Sequence, residues 1–296
     1  TGSYGNLIID GSNIFTGNTA NVGGALYIKL PENSNATITG NNLFENNSIN
    51  GSNANGAAIR LLINKNIKFA SIGTTYSNNY ATGDEIISIG SLVNPNTYKN
   101  VDITFSENQI TNNKVTGNAI LAADIYNNNT GTLTIRNSIF QNNTSPNEYA
   151  DTIFITSTCP KIIENNVYIN TPILINKINL TSEQEGQEIE PNTPITLTNN
   201  IILTRPRGYD SDIQERLEYK VYVNGENKYN GTGSTITINE EFTQENQGTL
   251  EIYTQIEKTT SNTITLTLKK PSSTTNITTE NPKIGETTEL VAQFYD

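Results

Sequence analysis

One phrase returns five times in the first half of this chain, at a spacing that leaves few folds open. It reads SNIFTGN (12–18), NNLFENN (41–47), GTTYSNN (73–79), ENQITNN (107–113) and NSIFQNN (137–143). In each copy an aromatic or aliphatic residue stands three before an asparagine: Phe15 and Asn18, Phe44 and Asn47, Tyr76 and Asn79, Ile110 and Asn113, Phe140 and Asn143. A degenerate sixth copy, NNVYINT (165–171), keeps Tyr168 in register. Successive apolar positions lie 29, 32, 34, 30 and 28 residues apart. A near-constant period of that size marks a stacked repeat architecture, whose units cannot bury a face alone.

Two further phrases travel with it. LIID (7–10), ATIT (36–39), IKFA (67–70), VDIT (101–104) and LTIR (133–136) precede it. GGALYI (23–28), GAAIRLL (56–62), GDEIISI (83–89) and GNAILAA (117–123) follow. Each repeat therefore offers three short apolar strands, and no stretch shows the 3.6-residue period of an amphipathic helix. The pattern predicts a right-handed parallel β-helix over residues 1–180, with about five to six coils. Coils would stack ~4.8 Å apart, putting like over like. Phe15, Phe44, Tyr76, Ile110 and Phe140 would then form an internal column. Asn18, Asn47, Asn79, Asn113 and Asn143 would form a corner ladder, with amides bonded from coil to coil and a backbone tolerant of the left-handed region.

Only 34% of the residues are hydrophobic and 16% charged, an apolar share below the ~45–50% of compact domains. Disorder is not the reading, because the apolar residues fall in short runs between Asn/Gly/Ser clusters. Cys159 is the single cysteine, so no disulfide forms within the chain, and a small buried residue is expected there. His, Met and Trp are absent. Without an initiating Met the chain is expected to be a segment of a longer one. Net charge is −11, of which residues 1–180 carry −2 and residues 181–296 carry −9. No basic stripe occurs, which argues against nucleic acid and anionic membrane surfaces as partners.

The pattern changes near residue 180. TSEQEGQEIEP (181–191) reads as an acidic linker. Longer alternating strands follow: ITLTNNIIL (195–203), LEYKVYVNG (217–225), STITI (234–238), GTLEIYTQIE (248–257) and NTITLTLKK (262–270). Asn224-Gly225 is a hairpin signal. Residues 192–270 thus predict an immunoglobulin-like β-sandwich without a disulfide. Residues 271–296 read as a linker and the opening of a second such module.

GGAL (23–26), with FTGN (15–18), FENN (44–47) and FQNN (140–143), resembles the GGA(I/L) and FxxN repeats of chlamydial polymorphic outer-membrane proteins. The Asn/Thr-rich, His-free style, and a β-helix leading into repeats that end in KIGETTELVAQFYD, are similar to adhesin-like surface proteins of methanogenic archaea. The resemblance implies export, anchoring at the cell envelope, and an adhesive or wall-scaffold role. Only the first repeat keeps the double glycine; the others have Gly-Ala, Gly-Asp and Gly-Asn.

Polysaccharide lyases and hydrolases also use this fold, so carboxylates need placing. Asp84 and Asp151 follow the second-phrase corner two coils apart, Asp124 is expected near the same face, and Arg60 is the arginine beside them. No motif joins them, and the pectin hydrolases' histidine is missing; the expectation is a non-enzyme without a cofactor. Asp210 and Asp212 form a weak Ca²⁺ candidate that lacks the full loop spacing; a turn is the simpler reading. Nine glycosylation sequons occur, at Asn35, Asn46, Asn50, Asn128, Asn142, Asn143, Asn179, Asn230 and Asn276, with Asn46 and Asn142 expected to be shielded beside the ladder. Strand alternation turns Tyr27, Arg60, Ser88 and Phe154 outward on the second-phrase sheet. An aromatic and an arginine on such a face suit a surface glycan or a protein of another cell; singly exposed residues of this kind are ordinary on a sheet, and that is the simpler reading. The open edge of the first coil is expected to favour self-association.

Overall fold

The computed structural model describes residues 5–51, 55–83, 85–91, 100–125, 129–147, 149–156, 159–190, 193–205, 208–238 and 248–269, with short strands at Asn276–Ile277 and Ala292–Gln293. The chain is all-β and divides into two compact units: residues 1–176 with 202–217, and residues 177–201 with 218–296.

The first unit is a right-handed parallel β-solenoid of about five turns. Its first sheet stacks Asn6–Ile9, Asn35–Thr39, Ile67–Ile72, Val101–Ser106, Leu133–Arg136 and Lys161–Glu164, all parallel. Its second stacks Ile14–Thr16, Leu43–Glu45, Thr75–Ser77, Gln109–Thr111, Ile139–Gln141 and Val167–Ile169. The first four coils carry a fourth strand that the phrases did not predict. These two-residue strands, Thr19–Ala20, Ser48–Ile49, Tyr80–Ala81 and Lys114–Val115, form the third sheet. The fourth sheet stacks Leu26–Lys29, Ile59–Ile63, Ile87–Ser91, Ala119–Ala123 and Asp151–Ile155.

The register places Phe15, Phe44, Tyr76, Ile110, Phe140 and Tyr168 in one column. Phe15 stacks on Phe44 with ring centroids 4.5 Å apart, Phe44 on Tyr76 at 5.2 Å, and Phe140 on Tyr168 at 5.4 Å. Three residues on, Asn18 Nδ2 donates to Asn47 Oδ1, Asn47 Nδ2 to Asn79 Oδ1, Asn79 Nδ2 to Asn113 Oδ1, and Asn113 Nδ2 to Asn143 Oδ1, all at 2.9–3.0 Å. The backbone N–H of each donor residue reaches the same acceptor oxygen. The spare amide protons of Asn47, Asn79, Asn113 and Asn143 go to the carbonyls of Phe15, Phe44, Tyr76 and Ile110. Buried amides saturated in this way stabilise the corner instead of costing desolvation. The left-handed backbone belongs to the residue before each rung. Gly17, Asn46, Asn78, Asn112 and Asn142 have positive φ, and the ladder residues do not. Asn46 and Asn142 are accordingly exposed, not shielded, while the sequon at Asn143 is buried.

A second ladder lies two residues before the aromatic column. Asn13 Nδ2 donates to Asn42 Oδ1; farther along, the backbone N–H of Thr74 donates to Asn108 Oδ1, that of Asn108 to Ser138 Oγ, and that of Ser138 to Asn166 Oδ1. Its last rung comes from a distant segment. The N–H of Asn166 donates to Asp210 Oδ1, and the hydroxyl of Tyr168 donates to Asp210 Oδ2 at 3.0 Å. Asp210 stands where a further coil would offer an asparagine. Tyr209 meets Tyr168 edge-on at 5.3 Å, continuing the aromatic column. Gly208 lies against the Ile153 carbonyl, where a Cβ would come within 2.5 Å, so no larger residue fits. Residues 208–217, including the 3₁₀ turn Ile213–Glu215 with buried Ile213, thus close that end of the stack. Sequence reasoning ended this unit at residue 180 and had no signal for the returning segment.

The second unit pairs a three-stranded sheet (Ile175–Thr181, Ile195–Leu203, Thr235–Ile238) with a larger one. The larger sheet orders Glu188–Ile189, Ile264–Leu268, Thr249–Ile256, Glu218–Val223 and Glu226–Thr232, with Thr259–Thr260 beside Thr249–Ile256. Alternation decides which face is buried: Ile195, Leu197 and Ile201 on one sheet, and Tyr219, Val221, Leu250, Ile252, Ile264 and Leu266 on the other. Buried Thr254 donates its hydroxyl to Asn199 Oδ1 at 2.7 Å, joining the two sheets through their buried faces. Asn224 and Gly225, both at positive φ, make the hairpin turn. Residues 181–191 are not a free linker in their described part. Glu188–Ile189 pairs in parallel with the end of Ile264–Leu268, and Gln184 bonds the backbone of Pro194 and Thr196. Of the expected second module, Asn276–Ile277 pairs antiparallel with Ala292–Gln293, and the remainder of 271–296 lies outside the described residues.

Candidate binding groove

The fourth sheet brings Tyr27, Arg60, Ser88, Ala122 and Phe154 into one row, each opposite the next across a strand pair. Alternation turns the row outward, while Ile28, Leu61, Ile89 and Ile155 face the core. Side-chain size along the row runs large, small, small, large from Arg60 to Phe154. The parallel row two residues on contains Gly90 and leads to Asp124 and Thr156. Two small residues and a glycine between bulky walls leave a concavity of about 340 Å³. Arg60 forms one wall and Phe154, Asp124 and Thr156 the other, while Glu85 and Asn118 also line it. Three strand steps separate Arg60 from Phe154, roughly 14 Å.

The Arg60 guanidinium is held toward the next strand. Its Nη1 donates to Ser88 Oγ, so Ser88 is only 2% exposed although its strand position faces out. A Cβ on Gly90 would stand 2.7 Å from Arg60 Nη2, so the glycine makes room for the flattened guanidinium. Among the described residues Arg60 has no carboxylate within ion-pairing distance. Asp124 is exposed and accepts from the Thr156 hydroxyl at 2.7 Å. Arg205 holds its guanidinium 4.3 Å from the Phe154 ring centre, covering that ring from the side of the returning segment. Tyr27, 44% exposed, belongs to the row but stands one strand beyond Arg60, outside the groove, with the Lys29 ammonium 5.3 Å from its ring.

The remaining carboxylates divide. Asp84 lies outside the described residues. Asp151 is not at the surface, as a catalytic partner of Asp124 would have to be. It is 0% exposed, and its Oδ1 accepts from the N–H groups of Thr152 and Leu174 and from the Tyr209 hydroxyl. Burial pushes its pKa up to about 7, with the two backbone N–H groups and the Arg205 charge only partly opposing. Its Oδ2 has no hydrogen-bond partner among the described residues. Asp210 and Asp212 do not frame a cation site: Arg216 Nη2 lies 3.3 Å from the first and 2.8 Å from the second. Cys159 is buried. Sequence reasoning reached Arg60, Ser88 and Phe154 through alternation. It did not find Gly90, Thr156 and Arg205, whose places depend on the register between coils and on the returning segment.

No family model, curated protein or solved structure matches this chain.

Proposed function

We propose that this chain is an adhesin-like module of a cell surface, in which the solenoid presents its fourth-sheet groove to saccharides or proteins of another cell. The second unit is then an immunoglobulin-like spacer, and the whole is an exported, envelope-anchored binding protein without catalytic activity. One observation carries this reading: the groove from Arg60 to Phe154, with fixed donors, acceptors and an aromatic wall in one concavity. Few convergent polar groups around one ring are the usual makings of a small-ligand site. Sequons exposed at Asn35, Asn46, Asn50, Asn142 and Asn230 agree with an exported chain. The test is binding of the whole chain to a glycan array and to intact cells. Loss of binding in Phe154→Ala, with Tyr27→Ala unchanged, supports the groove. Unchanged binding in Phe154→Ala moves the adhesive surface elsewhere, and no binding to any target leaves a passive wall spacer.

A hydrolytic reading has one observation in its favour, the presence of Glu85 and Asp124 in the same groove. Inverting hydrolysis uses two carboxylates about 6.5–9.5 Å apart. New reducing ends released from a polysaccharide by the wild-type chain, and not by Asp124→Asn, would establish that reading.

A further inference from the structure

We infer that the groove selects a saccharide bearing a single carboxylate, anchored on Arg60, with a neutral sugar beside it toward Asp124; this rests on the groove being the binding face. Arg60 is the starting point. Its guanidinium is placed by two neighbours, Ser88 accepting from Nη1 and Gly90 leaving the space beneath Nη2. A guanidinium fixed in this way, with no carboxylate at ion-pairing distance among the described residues, presents its remaining donors in the fork that matches a carboxylate.

The opposite wall restricts the rest of the ligand. Asp124, hydrogen-bonded to Thr156, stands two strand steps from Arg60, roughly 10 Å along the stack. Glu85 adds a second negative group to the lining. A second carboxylate on the ligand would meet these groups and be repelled, whereas sugar hydroxyls donate to Asp124 and accept from Asn118. The lining has one aromatic ring and is otherwise mainly polar, which favours a saccharide over an acidic peptide. Selection therefore falls on a mixed acidic–neutral disaccharide unit, not on a run of uronates.

Titration calorimetry on the whole chain tests this with four probes. They are a glucuronic acid–N-acetylhexosamine disaccharide, its carboxyl-reduced neutral form, a trigalacturonate and a glutamate-containing tripeptide. The acidic disaccharide should bind about tenfold or more tightly than the neutral form, the size of one charge-assisted contact. Arg60→Gln should erase that preference. Gly90→Ala should weaken the acidic disaccharide by displacing the guanidinium, with an unchanged Tm, because the clash is with a flexible side-chain end. Equal binding of acidic and neutral disaccharides overturns the inference and leaves the groove reading intact. Tighter binding of trigalacturonate or of the tripeptide also overturns it. If no sugar probe binds while the chain still binds cells through Phe154, the inference alone fails. If cell and array binding are absent too, both fail.

Discussion

The two units solve the same problem, a β-sheet core in a polar chain, in opposite ways. In the solenoid the strands are parallel and each position meets its own kind in the next coil, so polar residues are admitted to the interior as columns. Asn47, Asn79, Asn113 and Asn143 are at most 2% exposed and fully bonded. In the second unit the strands mostly run antiparallel and the interior is aliphatic by alternation. Its clearest buried polar contact is the single pair of Asn199 and Thr254, and Asn199 Nδ2 is left without a partner among the described residues. A stack turns one tolerated amide into a saturated ladder, whereas the second unit has no repeat to extend it. The low apolar content of the chain is thus compatible with a well-filled core where coils repeat.

That contrast can be broken by substitution, most sharply in the aromatic column. Phe44→Ala removes a fully buried ring stacked between Phe15 and Tyr76 and should cost about 3–5 kcal/mol in denaturant unfolding. A loss below about 1 kcal/mol would mean the column is not the core. The pH dependence at the closed end comes next. The folded pKa of Asp151 is raised from 3.8 to about 7. Its contribution is therefore fully present below pH 4 and lost as pH rises through 7, by up to about 4 kcal/mol. Asp151→Asn should remove that slope between pH 4 and 7; parallel stability profiles for the two chains would contradict the burial of the charge.

Ladder truncation is the third step. Asn79→Ala strips the acceptor from two donors of Asn47 and removes the amide bond to the Phe44 carbonyl, which should cost about 2–4 kcal/mol. Thr254→Val in the second unit removes one bond to an already incompletely bonded Asn199 and should cost about 1–2 kcal/mol. Equal losses at Asn79 and Thr254 would erase the distinction between ladder and isolated pair. Smallest of all, Lys65→Ala breaks a half-exposed ion pair with Glu32 and should change stability by less than about 1 kcal/mol.

The period, the aromatic column and the first ladder were legible because identical residues recur at identical offsets. The second ladder was present in the same phrases but masked, since Thr74 and Ser138 replace asparagine at two rungs and supply only a backbone donor or a hydroxyl. The two-residue third-sheet strands are too short to show alternation. The cap formed by Tyr209, Asp210 and Arg216 was invisible because its partners, Asp151 and Asn166, lie 44 to 58 residues away with no repeat to link them. The groove was half legible. Alternation turns Arg60 and Phe154 outward, but the depth between them depends on which small residues the register places there.

Hydrogen exchange of the whole chain, free and with a saturating bound saccharide from the array, locates the binding face. Added protection is expected only on the outer rows of the fourth sheet, around residues 59–62, 86–90, 120–124 and 153–156, with the second unit unchanged. Protection on the second unit, or spread evenly over all four solenoid sheets, would contradict the groove as the binding face.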